Sequence, residues 1–174
     1  MLIKIEDLSP KNIINFYPPQ ALCSKNTVKL FNKPFPEDFP FISLLTPLSD
    51  IESCLLTDVL LSIKYTDSAN KEDLTALILA ELDDYLAAKP EIISLEQPDI
   101  DLSLFEALAD AFIRPTLNRD KGDIKIISYQ NNELLLQFTG HCSGCPYAQN
   151  TLNNVVAGCF KRYVPQLGSI KVKE

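Results

Sequence analysis

The sequence predicts an α+β protein made of two small α/β-sandwich-like domains, and three observations carry that prediction. Apolar residues make up 46% and charged residues 22% of the 174, proportions that allow a packed core. Residue usage changes near position 98: all five glycines and all three arginines follow it, while nine of the twelve prolines lie at or before it. Charge divides at the same place. Residues 1–98 hold 8 Lys against 15 Asp and Glu, a net −7, whereas residues 99–174 hold 8 bases against 8 acids. The expected organisation is a first domain over 1–89, a linker over 90–101 containing Pro90, Pro98 and four acids, and a second domain over 102–174.

In the first domain, Ile3 and Ile5 and then Ile13 to Tyr17 suggest short strands, and the Pro-rich run Lys33 to Pro47 suggests a loop with a short helix. Ile51 to Leu56 and Val59 to Tyr65 flank Thr57-Asp58 as a hairpin, being rich in residues that suit a half-buried pleated surface. Asn70 caps a helix from Lys71 to Ala88 whose apolar stripe is Leu74, Leu77, Ile78, Leu82, Tyr85 and Leu86.

The second domain reads as helix, hairpin, CxxC, helix, strand. Leu104, Leu108, Ala111 and Phe112 recur at helical spacing, and Pro115 should bend or end that helix near Arg114. A turn at Asp120-Lys121-Gly122-Asp123 leads to strands Ile124 to Tyr129 and Glu133 to Phe138 around Gln130 to Asn132. The second strand runs into Gly140-His141-Cys142-Ser143-Gly144-Cys145-Pro146. A helix from Pro146 to about Val164 follows, with Ala148, Leu152, Val155, Val156, Cys159, Phe160 and Tyr163 on its apolar side, and Ser169 to Val172 forms a last strand.

Several classes of function are excluded by these proportions. A net charge of −7 argues against adhesion to nucleic acid or anionic lipid, which needs a basic surface. The longest apolar stretches, such as Phe39 to Leu48, are broken by Ser, Thr or Pro and fall short of a membrane span. The start MLIKIEDLSPKN carries neither a signal core nor an acid-free presequence, so the expected compartment is the bacterial cytoplasm, or the mitochondrial matrix if a presequence has been removed. Five cysteines, an odd number with three of them isolated, point to reduced thiols rather than a disulfide framework.

Cys142 and Cys145 invite a chemical reading. A CxxC between a strand and a helix led by proline places both thiols near a helix N-terminus, where the thiolate, the form that binds metals and attacks disulfides, is favoured. Gly140 and Gly144 let the backbone turn closely around a bound object. Three chemistries compete. Thioredoxin-like exchange uses such a CxxC, but only 29 residues follow Cys145, enough for one helix and one strand. Zinc takes four ligands as a rule, and here there are two thiols plus His141, whose adjacency to Cys142 strains joint ligation. An iron–sulfur cluster also wants four thiolates, which two chains supply at two apiece. Cys159, roughly 21 Å along the same helix from Cys145, is expected to be a buried inert thiol, and Cys23 and Cys54 structural. His141 reads as a solvated loop residue or a proton donor to a departing thiolate. Arg114, Arg119 and Lys121 read as solvated charges with the option of balancing an anionic cluster.

The run Ile113-Arg114-Pro115, Asp120-Lys121-Gly122-Asp123-Ile124, Gly140-His141-Cys142-Ser143-Gly144-Cys145-Pro146, Thr151-Leu152 and Tyr163-Val164-Pro165 resembles the NifU C-terminal domain of Nfu-type iron–sulfur carriers. The first domain, from Ile3-Lys4-Ile5-Glu6-Asp7 onward, resembles the Nfu N-terminal domain of mitochondrial and alphaproteobacterial members. The resemblance implies a carrier rather than an enzyme. Cys142 and Cys145 from two subunits would bind a bridging [4Fe-4S] cluster, or alternatively a [2Fe-2S] one, in a cluster-linked homodimer. The implied partners are scaffold proteins as donors and apo iron–sulfur enzymes as acceptors, such as lipoyl synthase and aconitase-like proteins. Three departures from the family pattern stand out: Lys121 in place of a glycine, Pro165-Gln166-Leu167 in place of Pro-Glu-Val, and Ser9-Pro10-Lys11-Asn12 in place of Asn-Pro-Asn. The alternatives are a thiol–disulfide oxidoreductase with Cys142 as nucleophile and Cys145 as resolver, and a zinc-bridged structural dimer. The acidic first domain is expected to select donors or acceptors.

Overall fold

Short β-branched and aromatic runs pair into two sheets, each covered by amphipathic helices, in a computed structural model that describes residues 2–9, 11–143, 146 and 148–173, the side chains of Ala148, Gln149 and Asn153 apart. The chain divides into two units, Met1–Pro98 and Asp99–Glu174. Both combine helices and sheets, the α+β class.

In the first unit, β1 (Lys4–Asp7), β2 (Ile13–Tyr17), β3 (Val28–Asn32), β4 (Ile51–Thr57) and β5 (Leu61–Tyr65) form an antiparallel sheet in the order β1-β2-β5-β4-β3. The β4–β5 turn sits one step later than the sequence suggested, because the Thr57 hydroxyl accepts from the N–H groups of Val59 and Leu60 and closes the chain there. β3 was not foreseen. Lys29 and Asn32 dilute its pattern, and it becomes a strand by pairing with β4, which buries Val28 and Phe31. The Pro-rich run contributes one 3₁₀ turn, Ile42–Leu45.

Helix α1 (Lys71–Ala87) starts where Asn70 accepts from the Asp73 N–H. Its Leu74, Ile78, Leu82 and Leu86 close the core over Ile14, Phe16, Cys54, Leu56 and Ile63. Leu77 departs from the expected stripe, being 52% exposed. Residues 90–101 were read as a linker. Within them Ile93 pairs with Cys23 as a β-bridge, donating to the Leu22 carbonyl and accepting from the Ser24 N–H, so this stretch is held to the first unit.

In the second unit, α2 (Leu102–Leu108) is capped by Asp101, whose carboxylate accepts from the Leu104 N–H. The helix does not end near Arg114. It passes through a π turn, Ala109–Ile113, and continues as α3 (Arg114–Arg119) with Pro115 in its first turn. Proline lacks a donor and its ring clashes with the carbonyl four residues back; the wider turn, in which the Arg114 N–H donates to the Ala109 carbonyl, accommodates both demands.

Strands β6 (Gly122–Gln130) and β7 (Glu133–Gly140) form the hairpin, turning at Asn131 and Asn132, both left-handed with φ of 52° and 61°. A second helical stretch runs through α4 (Ala148–Thr151), a π turn at Leu152–Val156 and α5 (Ala157–Tyr163), and β8 (Ser169–Val172) returns parallel to β7. The alternation along β7 buries Leu134, Leu136 and Phe138, on the side where Ile124 and Ile126 of β6 are also buried. Phe105 of α2 meets Phe160 of α5 edge to face at 5.2 Å, joining the two helical stretches. This packing fixes the hairpin, and the CxxC segment leaves from the hairpin's last residue.

Candidate functional site

Two glycines opposite each other at the open end of the hairpin shape the site. Gly122 begins β6 and pairs in register with Gly140, which ends β7. Gly140 has φ of +60°, and a side-chain carbon there would lie 2.4 Å from the Lys121 carbonyl oxygen, so only glycine fits. That close approach lets the His141 N–H donate to the Lys121 carbonyl at 3.0 Å, while the Ser143 N–H donates to the Gly140 carbonyl at 3.1 Å. The chain therefore turns back onto the start of β6, and Cys142 follows.

Cys142 is half-buried, and its sulfur lies where a Gly122 side chain would be. A Cβ at Gly122 would stand 2.0 Å from Cys142 Sγ. Gly122 is thus a seat for the thiol. The sequence reading had used this glycine as a turn residue only; the signal that could have found it is its place opposite Gly140, visible once the hairpin register is set. Cys145 and Gly144 lie outside the described residues.

The expectation that the thiols sit at a helix N-terminus is not met for Cys142. Pro146 is an exposed turn residue, and the described helix starts at Ala148, six positions beyond Cys142. A helix dipole acts within its first turn, so among the described residues Gly122 and the hairpin end lie against Cys142.

Arg114 is corrected more sharply. Read as a solvated charge, it is buried, with 7% exposure. Its Nη1 donates to Glu106 at 2.7 Å and to Asp110 at 2.8 Å, its Nε to Asp123 at 3.1 Å and its Nη2 to the Ile124 carbonyl at 3.0 Å. Burial works against its charge, but Glu106 and Asp110 more than offset that and hold its pKa above the ordinary value. His141, Lys121 and Arg119 are exposed.

Cys23 and Cys54 belong to the first unit's core, whereas Cys159, expected to be buried, keeps part of its surface exposed. Cys23 and Cys54 are fully buried in the first unit, and burial raises both thiol pKa values. Cys159 is on α5, eleven residues beyond Ala148, roughly 16 Å by the helical rise, and burial pushes its thiol up to about 12. Among the described residues, no group of three or more His, Cys, Asp or Glu comes together as a metal site. Among the described residues of this unit, the Cys142 thiol is a soft donor at the hairpin end with a bare backbone behind it.

The model of the NifU-like domain family matches residues 106–171, nearly all of this unit and all of the site's described parts. The C-terminal unit is thus similar to the NifU-like domain family. Similarity continues through the first unit. The proteins described as "NFU1 iron-sulfur cluster scaffold homolog, mitochondrial" from Drosophila persimilis and Drosophila sechellia are 26% and 25% identical over 182 residues, covering 98% of this chain and 64% of each relative. The chain spans less than two thirds of the length of these curated relatives. The Nfu-type resemblance read from the residues is borne out, with the NifU-like unit carrying its most specific part. Among solved structures, a Staphylococcus aureus protein aligns with 49% of this chain and 99% of its own at 16% identity, with a TM-score of 0.38. Among the described residues, no helix is long and apolar enough to cross a membrane.

Proposed function

We propose that this protein is an iron–sulfur cluster scaffold and carrier, in which Cys142 and Cys145 of two subunits hold one [4Fe-4S] cluster and pass it to apo-proteins. The observation that carries the proposal is the Cys142 thiol seated on Gly122 at the end of the hairpin of a NifU-like unit. The names of the relatives support the scaffold role. Two thiolates per chain leave half of a four-ligand cluster unbound, so the cluster joins a homodimer.

Cluster transfer in this reading is ligand exchange without net redox change. An acceptor thiolate forms a bond to iron as the Cys142 or Cys145 sulfur–iron bond breaks, and the departing thiolate takes a proton from water or from His141 beside it. The position favours exchange, since Cys142 is half-buried and its neighbours His141 and Ser143 are exposed. No bond of a small-molecule substrate is made or broken, so the role is that of a carrier rather than an enzyme. Donors are scaffold proteins and acceptors apo iron–sulfur enzymes. The compartment proposed is the mitochondrial matrix, following the relatives' description, or the cytoplasm of a bacterium.

The test is anaerobic reconstitution with iron and sulfide of single Cys→Ser variants. Cluster absorption should vanish in Cys142→Ser and Cys145→Ser and persist in Cys23→Ser, Cys54→Ser and Cys159→Ser. The holo-protein should elute as a dimer with about one cluster per two chains. A folded Cys159→Ser variant that cannot hold the cluster, or a monomer with a full cluster and no added thiol, would overturn the proposal.

A further inference from the structure

The buried guanidinium of Arg114 has a place in this geometry that a general stabilising role does not explain. Glu106 and Asp110, on its own helical stretch, fix one end of its fork. The other end takes hold of β6 twice, through the Asp123 carboxylate and the Ile124 carbonyl, just after Gly122. Asp123 also accepts from the Ile124 N–H at 2.8 Å, which locks its side chain toward the strand. On the other side of Gly122, the Lys121 carbonyl is tied to the His141 N–H. The seat of the Cys142 sulfur is therefore held from both flanks, and the Arg114 side is directional.

We propose that Arg114 and Asp123 are positioning residues for Cys142, bracing the start of β6 so that Gly122 presents its bare backbone to the thiol. Neither residue is assigned as a ligand. An ion pair whose acid keeps contact with solvent, as Asp123 does, is a weak source of net stability, whereas its fixed hydrogen-bond directions set geometry. Metal sites tolerate about ±0.2 Å in ligand distance, so a small drift of β6 is felt at the sulfur. The cluster readout of the test rests on the carrier reading, while the thiol readout does not.

The experiment compares the full-length chain with Asp123→Ala and Asp123→Asn. Asparagine retains an oxygen that can accept from Arg114 Nε and the Ile124 N–H without the charge; alanine removes it. Four quantities are measured: the visible circular dichroism and the chelator-driven loss of the reconstituted cluster, the iodoacetamide alkylation rate of Cys142 in the apo-protein at fixed pH by site-resolved mass spectrometry, and the melting temperature. Asp123→Ala should lose its cluster about tenfold faster, the scale of outer-shell substitutions at metal sites. Its visible dichroism and Cys142 alkylation rate should change as well, while Asp123→Asn keeps the parent's dichroism and stays within about twofold of the parent in cluster loss and alkylation rate. If Asp123→Ala does not fold, Asp123→Ser, which draws the oxygen out of Arg114's reach, takes its place with the same expectations. Equal alkylation rates in all variants, or equal impairment of the Asn and Ala variants, would overturn the proposal. If the parent holds no cluster, the carrier reading fails and the alkylation rates still decide the positioning role.

Discussion

One methyl group at Gly122 should separate folding from cluster binding. In Gly122→Ala the new carbon would lie 2.0 Å from Cys142 Sγ, with the Cys142 Cβ at 3.2 Å and its backbone nitrogen at 3.4 Å. Unstrained contacts begin near 3.5 Å, so the sulfur must retreat by about 1.5 Å from its 2.0 Å position. Turning the Cys142 side chain moves the sulfur at a cost on the order of 0.5–1.5 kcal/mol, and the Cβ contact at 3.2 Å is relieved by a small backbone shift. Gly122 does not share the left-handed backbone of Gly140, so alanine is allowed there and restricts the unfolded chain by ~0.4–1 kcal/mol in the opposite direction. The two nearly cancel. Stability should change by less than ~1 kcal/mol, a melting shift of at most ~4–8 °C for a unit of this size. The cluster is far less tolerant, because a 1.5 Å retreat is several times the ~0.2 Å latitude of a metal–ligand bond. The assay pairs a thermal melt of the apo-protein with anaerobic reconstitution and chelator challenge. The expected result is a folded protein whose cluster occupancy falls and whose cluster is lost at least ~10-fold faster. A folded Gly122→Ala variant with parental occupancy and cluster lifetime would refute the reasoning.

Two further predictions address groups away from the site. An unfolded thiol titrates near ~8.5, whereas burial holds Cys159 at about 12. Between these values the unfolded state binds fewer protons than the folded one, so stability is unaffected below pH ~8.5 and falls above it, by up to ~1.4 kcal/mol per pH unit. Urea unfolding at pH 8 and pH 10 should show this loss in the parent and a shallower one in Cys159→Ala; identical slopes would mean that the thiol is accessible. The second prediction concerns the first unit, with its net −7. If it selects basic partner surfaces, transfer from the full-length holo-protein should slow as salt rises, since charge steering is screened over ~8 Å at physiological ionic strength. A fragment of residues 99–174 should transfer more slowly at low salt and respond less to salt. Equal rates and salt slopes for both proteins would leave the acids a solubility role.

Much of the fold was legible because it follows from local chemistry. Asn70 and the Leu74, Ile78, Leu82, Leu86 series specify α1 through a cap and a period, and Asn131-Asn132 specifies a tight hairpin turn through its tolerance of left-handed backbone. β3 was not legible, since its sequence becomes a strand by gaining β4 as a neighbour. Of the two outcomes expected at Pro115, a bend or an end, the end does not occur, for a related reason. The proline's effect on a helix depends on whether the preceding turn can widen, and that is settled by the packing around Ala109–Ile113.

At the site, the sequence by itself determined which thiols are available, because Cys142 and Cys145 and their spacing are covalent facts, and with them the similarity to the NifU-like domain family. Tertiary structure decided where that chemistry is held. Gly122 and Cys142 are twenty residues apart and meet because the hairpin register sets Gly122 opposite Gly140, where two missing side chains let the backbones close up. Arg114, a charge that burial would ordinarily penalise, is buried because the fold brings Glu106, Asp110, Asp123 and the Ile124 carbonyl within reach of its five donors at once. A lone residue type cannot announce such a partnership; it exists when the fold brings several partly exposed acceptors around one buried cation.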